Sequence, residues 1–244
     1  MTVLGGFEIR DLQGRSLRLS CNKAAAILAY LCACGALAQS RDKLAGLFWE
    51  DADTHRAYNS LRQAVFLVNE ACRGLAAQPL ICQRDTLAIN KECVATDLWD
   101  FKTSIAEGSP QSLERAVEYY RGDLLDGFGI DSLAFTEWLT VERERLRQAA
   151  FDGCASLLAH HLAEDATACA LRVAQRKLTI DPLDEATHRS LIAIYAAEGR
   201  TAIAVRQYHA CRRILARELG IEPDVETVRL AEDIARGRLD RRGT

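Results

Sequence analysis

From residue 151 onward the chain repeats itself with a 34-residue period, and that period limits the folds open to it. Cys154 is matched by His188, Leu157 by Leu191, Leu158 by Ile192 and His161 by Tyr195. In the second half of each unit Ala170 is matched by Ala204 and Ala174 by Tyr208, and Pro182 stands where a unit ends. Small residues where two helices come closest, with larger ones filling between them, describe a helix pair that cannot bury its apolar face alone. Only about two such units are present, so the helices upstream and the segment Asp224–Arg236 are expected to cap the stack.

A helix pair of this length is the tetratricopeptide (TPR) pattern. The helical character begins earlier. Beyond Thr96 the sequence reads as nearly continuous helix, with Asp97–Glu107 and Gln111–Tyr120 flanking Ser109-Pro110. The loop RGDLLDGFGIDS then leads to a long amphipathic helix starting near Leu133. No strand is expected between residues 110 and 235, and the last eight residues, ending RRGT, are expected to fray.

The N-terminal stretch has another rhythm. Val3–Asp11 and Ser16–Ser20 read as short strands joined by the turn Asp11-Leu12-Gln13-Gly14. Asn22–Gly35 is Ala-rich, with Ile27, Leu28 and Leu31 on one stripe, and predicts a buried helix. Ser40 is a good N-cap for SRDKLAGLFWED, whose Leu44, Leu47 and Phe48 point inward. Asp53–Gly74 places Leu61, Val65, Val68 and Cys72 on one face, with Asp53 or Thr54 as cap and Gly74 as stop. Leu80–Cys82 and Leu87–Asn90 read as strands closed over Gln83-Arg84-Asp85-Thr86. Strands, three helices and a hairpin are the order of a winged helix, in which the third helix reads a groove and the hairpin is the wing. The expected fold is therefore an α+β winged helix over residues 1–95 followed by an all-α TPR-like domain over 96–240. No Gly/Ser/Pro linker separates the halves, so they are expected to pack together.

The polar face of the third helix carries the chemistry. His55, Arg56, Tyr58, Asn59, Arg62, Gln63 and Phe66 lie opposite its apolar stripe. Arg and Asn/Gln are the side chains that make paired hydrogen bonds to guanine and adenine edges. The same pattern is also an ordinary solvated face.

Charge and composition restrict the alternatives. Residues 1–103 carry 12 Lys and Arg against 11 Asp and Glu, within a chain of net charge −3, so any basic surface must be local. No run reaches the length of a membrane span and the N-terminus lacks a signal pattern, so a cytoplasmic protein with no membrane partner is expected. Nine cysteines are scattered without a C-x-x-C pair, which makes them reduced core residues; Cys32, Cys72, Cys154 and Cys169 are expected to be mostly buried. No phosphate-cradling loop, nucleophile elbow, acid/base pair or metal-ligand spacing occurs, so neither catalysis nor a cofactor is expected. Glu142, Arg143, Glu144 and Arg145 read as a solvated, ion-paired helix face. His161 falls on a packing position of the repeat, and Trp49, Trp99 and Trp138 read as packing anchors.

LGGFEI, NKAAAILAYL and LAGLFWEDADTHRAYNSLRQAV, in that order, resemble the DNA-binding domain of SARP-type transcriptional regulators. YYRGDLLDGFGIDSLAFTEWLTVERERLR, IDPLDEATHRSLIAIYAAEGR and QYHACRRILARELGIEP resemble the bacterial transcriptional activator domain that follows it there. The resemblance spans residues 2–235 and implies an OmpR-type winged helix, a homodimer on directly repeated sites in double-stranded promoter DNA, and contacts to RNA polymerase. In that frame Arg56, Asn59, Arg62 and Gln63 read base edges and Phe66 meets a thymine methyl. Ser40, Arg41 and Lys43 hold backbone phosphates, and Arg84 and Thr86 on the wing reach the adjacent minor groove or backbone. The acidic corner Glu50, Asp51 and Asp53 is the candidate polymerase contact. Family members continue the third helix with more basic residues where this chain has Phe66-Leu67-Val68-Asn69-Glu70. That departure keeps a second reading open, a winged-helix/TPR adaptor that has lost DNA binding; a cysteine-based redox or ligand sensor is a third.

Overall fold

The computed structural model describes residues 1–75 and 77–238. Its elements follow the expected order: β1 (Ile9–Arg10), β2 (Ser16–Leu17), α1 (Asn22–Cys34), β3 (Gln39–Ser40), α2 (Arg41–Phe48), α3 (Thr54–Ala71), β4 (Leu80–Cys82) and β5 (Thr86–Ile89). Helices then follow: α4 (Asp97–Glu107), α5 (Pro110–Tyr119), α6 (Leu133–Ala163), α7 (Thr167–Ile180), α8 (Glu185–Ala197), α9 (Thr201–Glu218) and α10 (Val225–Ala235). An α+β winged helix is thus followed by an all-α TPR-like array. The chain divides into two compact units, Met1–Ala149 and the residues from Ala150 onward. No helix among the described residues is long and apolar enough to cross a membrane.

In the first unit α1 is the central element: Ala24 through Cys32 are all buried, because a run of alanines lets α3, α4 and β5 approach from several sides. Trp99 donates its indole N–H to the Cys32 carbonyl at 2.7 Å, and Trp138 packs at 4.8 Å from the Tyr30 ring and 5.3 Å from Phe135.

The first hairpin is shorter than the expected strands over 3–11 and 16–20. Gly5 (φ +86°) and Gly6 (φ +138°) turn the backbone out of the strand, so Leu4 and Gly6 bridge to Leu124 instead. The Leu125 N–H donates to the Val3 carbonyl at 2.8 Å, and the Asp97 carboxylate accepts from the Val3 and Leu4 N–H groups at 2.9 and 3.1 Å. Leu124 is an isolated bridge; among the described residues no strand follows Ile89. A third strand not expected from the sequence, β3, pairs with β5, giving the order β3-β5-β4. At two residues it carries no pattern of its own.

The expectation of one solvated face at 142–145 is corrected. Successive helical residues point about 100° apart, so four in a row cannot share a face. Glu142 is buried and bonds Lys102 at 2.9 Å, while Arg143 donates to the Leu124 and Leu125 carbonyls at 2.7 and 2.6 Å. Glu144 and Arg145 are the exposed pair.

In the second unit the repeat is visible as structure. α7 and α9 begin 34 residues apart, at Thr167 and Thr201. Cys154, Leu157, Leu158, His161 and Ala170 are buried, as are their counterparts His188, Leu191, Ile192, Tyr195 and Ala204. The turns are equivalent as well. Ala166 N–H donates to the His161 carbonyl and Arg200 N–H to that of Tyr195, both at 2.8 Å. α10 packs on both α8 and α9, closing that end of the stack.

Of the thiols, Cys32, Cys72, Cys154 and Cys211 are buried, whereas Cys169 is only half-buried, near the start of α7. Burial pushes Cys32 up to about 12 and Cys154 and Cys211 to about 11, so they sit as inert thiols. The fraying expected of the last eight residues falls, from residue 239 on, outside the described residues.

Candidate nucleic-acid interface

α3 is held by its cap and its apolar stripe. The Asp53 carboxylate accepts from the Arg56 N–H at 3.0 Å, and Ala57, Leu61, Ala64, Val65 and Val68 are buried on the face that meets α1 and α2. The Tyr58 hydroxyl donates to the Asp42 carboxylate, pinning α3 to α2 at the corner, and this bond raises the Tyr58 phenol above its ordinary value.

The opposite face brings the predicted readers together. Arg56, Asn59, Arg62, Gln63 and Phe66 are all exposed, Phe66 by 54%. Asn59 Nδ2 donates to His55 Nδ1 at 3.2 Å, and Arg62 Nη1 donates to Asn59 Oδ1 at 3.1 Å. Arg56 pairs with Asp53 at 3.1 Å. Exposed bonds of this kind are worth well under about 1 kcal/mol, so they can be exchanged for a ligand at little cost.

The start of α2 and the wing form one piece. Ser40 faces Thr86 in the β3–β5 ladder, and the Ser40 hydroxyl accepts from the Lys43 N–H at 3.2 Å. The Arg41 N–H donates to the Asp85 carbonyl at 2.9 Å, and its guanidinium reaches the Gln83 carbonyl at 3.3 Å. Thr86 Oγ1 donates to Gln83 Oε1 at 3.1 Å, and Arg84 is exposed at the tip. Lys43 is less available: its ammonium donates to Gln39 Oε1 at 2.9 Å and lies 5.8 Å from the Tyr30 ring centroid.

The acidic corner has a role that local sequence does not announce. The Glu50 carboxylate accepts from the Leu133 N–H at 2.6 Å and the Ala134 N–H at 3.2 Å, capping α6 across 83 residues of sequence. Ser132 completes the cap, donating its hydroxyl to the Leu47 carbonyl at 2.7 Å and accepting from the Phe135 N–H at 3.2 Å. Asp53 caps α3, and Asp51 is exposed. Glu50→Ala is expected to lower stability by about 1 kcal/mol through the lost cap, whereas Asp51→Ala leaves it unchanged. Thermal melts of the two variants check this. Among the described residues no group of three or more His, Cys, Asp or Glu is placed to hold a metal.

A family model described as "Bacterial transcriptional activator domain" matches residues 101–235, more than half of the chain. The chain belongs to that family. With a winged helix ahead of the activator domain, it has the layout of a SARP-type transcriptional regulator. A solved structure described as Mycobacterium tuberculosis EmbR in complex with low affinity phosphopeptide superposes over 97% of this chain with a TM-score of 0.67. Identity to it is 20%, so the likeness concerns the fold, and this chain spans 65% of that one's length. A search of curated protein sequences finds no match.

Proposed function

We propose that this activator-family protein binds double-stranded promoter DNA sequence-specifically, as a homodimer in the cytoplasm, and touches RNA polymerase. The observation that supports it most is the exposed row Arg56, Asn59, Arg62 and Gln63, on the face of α3 opposite its buried stripe. A helix so placed enters a major groove, where Arg pairs with guanine O6 and N7 and Asn or Gln with adenine N6 and N7. Phe66 then meets a thymine methyl, Ser40, Arg41 and Lys43 take phosphates beside the positive end of α2, and Arg84 and Thr86 bring the wing to the flanking groove or backbone. Of the acidic corner, Asp51 is the residue left for polymerase, since Glu50 and Asp53 serve helix caps. The reading assigns no catalysis and no cofactor.

The second reading is the adaptor that has lost DNA binding. Two observations favour it: Phe66 is an exposed aromatic where a basic residue would add a phosphate contact, and residues 1–103 are nearly neutral. Equilibrium binding separates the two. Arg62→Ala is expected to cost about 1–3 kcal/mol of specific binding and to relax preference at one base position. Lys43→Ala is expected to weaken binding to all sequences alike and to reduce the salt slope by about one ion. If the wild-type protein prefers no promoter DNA over random duplex, and Arg62→Ala changes nothing, the adaptor reading replaces this one.

A further inference from the structure

The exposed edge of α9 is basic, and of its arginines Arg206 is matched by Arg172 in the preceding repeat whereas Arg213 is not. α9 carries Arg206, Arg212, Arg213 and Arg217 against a single acid, Glu218, although the chain as a whole is net negative. Arg212 is satisfied by a two-point pair with Glu222 at 2.7 and 3.0 Å, and Arg217 by Glu218 at 2.7 Å. Arg206 and Arg213 have no ion pair among the described residues. With His209, Ala216 and the mutually paired Arg212 and Glu222 they line an open groove of about 610 Å³, in which Arg206 and Arg213 are the charges left over. Beside it Leu219 and Ile221 are 54% and 50% exposed.

A matching surface lies on α6, within the first unit. Its exposed residues include Leu133, Glu137, Val141 and Glu144, with Leu133 at 66% and Val141 at 70% exposure. Glu137 has no ion pair among the described residues, and Glu144 has only a 3.5 Å contact to an Arg147 that also bonds Asp123. Glu137 and Glu144 are seven residues apart, two helical turns, and so are Arg206 and Arg213. Laid antiparallel, the two helices place Glu144 against Arg206, Glu137 against Arg213, and Leu133 beside Ala216 and Leu219. A parallel pairing would leave Leu133 against Ala202 and the exposed Leu219 uncovered.

We infer that the α9 groove is a self-association surface whose occupant is the exposed face of α6 from a second copy of this chain. The inference rests on the homodimer part of the proposed function and names its contacts; apolar residues anchor the interface while the two charge pairs set direction and register. Sedimentation equilibrium at low ionic strength tests it without DNA, so a failure of DNA binding would leave the result readable. The wild-type protein should associate reversibly. Arg206→Glu with Arg213→Glu, and separately Glu137→Arg with Glu144→Arg, should each weaken association by about 100-fold through like-charge contact. All four reversals together should restore it. The milder pair Arg206→Gln and Arg213→Gln, with circular dichroism on every variant, separates weakened association from misfolding. A wild-type protein that stays monomeric, association indifferent to either reversal, or folded charge-swapped chains that fail to regain it would overturn the inference.

Discussion

Asp184→Ala should remove about 3–5 kcal/mol from the second unit, the loss seen when one partner of a buried ion pair is deleted. Lys177 stands in the last turn of α7 with its side chain 8% exposed, its ammonium 2.8 Å from Asp184 Oδ2 and 3.9 Å from the Phe151 ring centroid. Asp184 is also the N-cap of α8, accepting from the Thr187 N–H at 3.2 Å and from the Thr187 hydroxyl. The substitution therefore removes a cap and strands a cation. Urea unfolding followed by circular dichroism measures the loss, and adding Lys177→Met should recover part of it by removing the stranded charge. A pH dependence follows. Burial works against ionisation of Asp184, but the bonds from Lys177 and Thr187 outweigh it and hold the carboxyl below its ordinary value. A depressed folded value means that the carboxylate stabilises fully above the unfolded value of about 4 and loses that contribution as pH falls through the folded one. Wild type should therefore lose stability on acidification below about pH 4 more steeply than the Lys177→Met/Asp184→Ala double variant.

Gly5→Ala should destabilise the first unit by about 2–4 kcal/mol, by two separable causes. Gly5 has φ +86°, which disfavours any side chain. A Cβ there would also lie 3.0 Å from Arg121 Cβ and 3.1 Å from the Gly122 nitrogen, because the 121–125 segment docks against Val3–Gly6 through the bond from Gly5 N–H to the Asp123 carbonyl at 3.0 Å. Gly14→Ala serves as the control: its φ is +80°, yet open space surrounds the added carbon. It should cost only the conformational part, about 1–2 kcal/mol. Equal losses from the two substitutions, by thermal or urea unfolding, would mean that close approach at Gly5 contributes nothing.

What could be read from the sequence was whatever announces itself locally or periodically. The apolar stripe and Asp53 cap of α3 lie within one helix, and the repeat pairs Leu157 with Leu191 because both fill the same packing position. The paired turns even tolerate different residues: Asp165 (φ 53°) stands where the second unit has Gly199 (φ 70°). Asp can occupy that left-handed conformation, so the turn survives without its glycine. What stayed hidden depends on distant partners. Glu50 looked like a surface acid because its partners, the Leu133 and Ala134 N–H groups, come from a helix far along the chain. β3 exists only because β5 folds back beside it, and Glu142 is buried because Lys102 meets it from another helix. At the candidate interface, exposure and grouping of the α3 residues were legible; the engagement of Lys43 with Gln39 and Tyr30 was not.

If the exposed face of α3 reads promoter sequence, the DNA that the protein recovers from a mixture will carry a shared sequence. Fragmented genomic DNA from the source organism is mixed with the purified protein at moderate salt, and the retained fragments are sequenced for wild type and Arg62→Ala. Wild type should enrich promoter fragments sharing a short direct repeat, and Arg62→Ala should lose preference at one position of each repeat while keeping its folded spectrum. Retention of fragments without a shared sequence, or the same sequence enriched equally by Arg62→Ala, would contradict that reading.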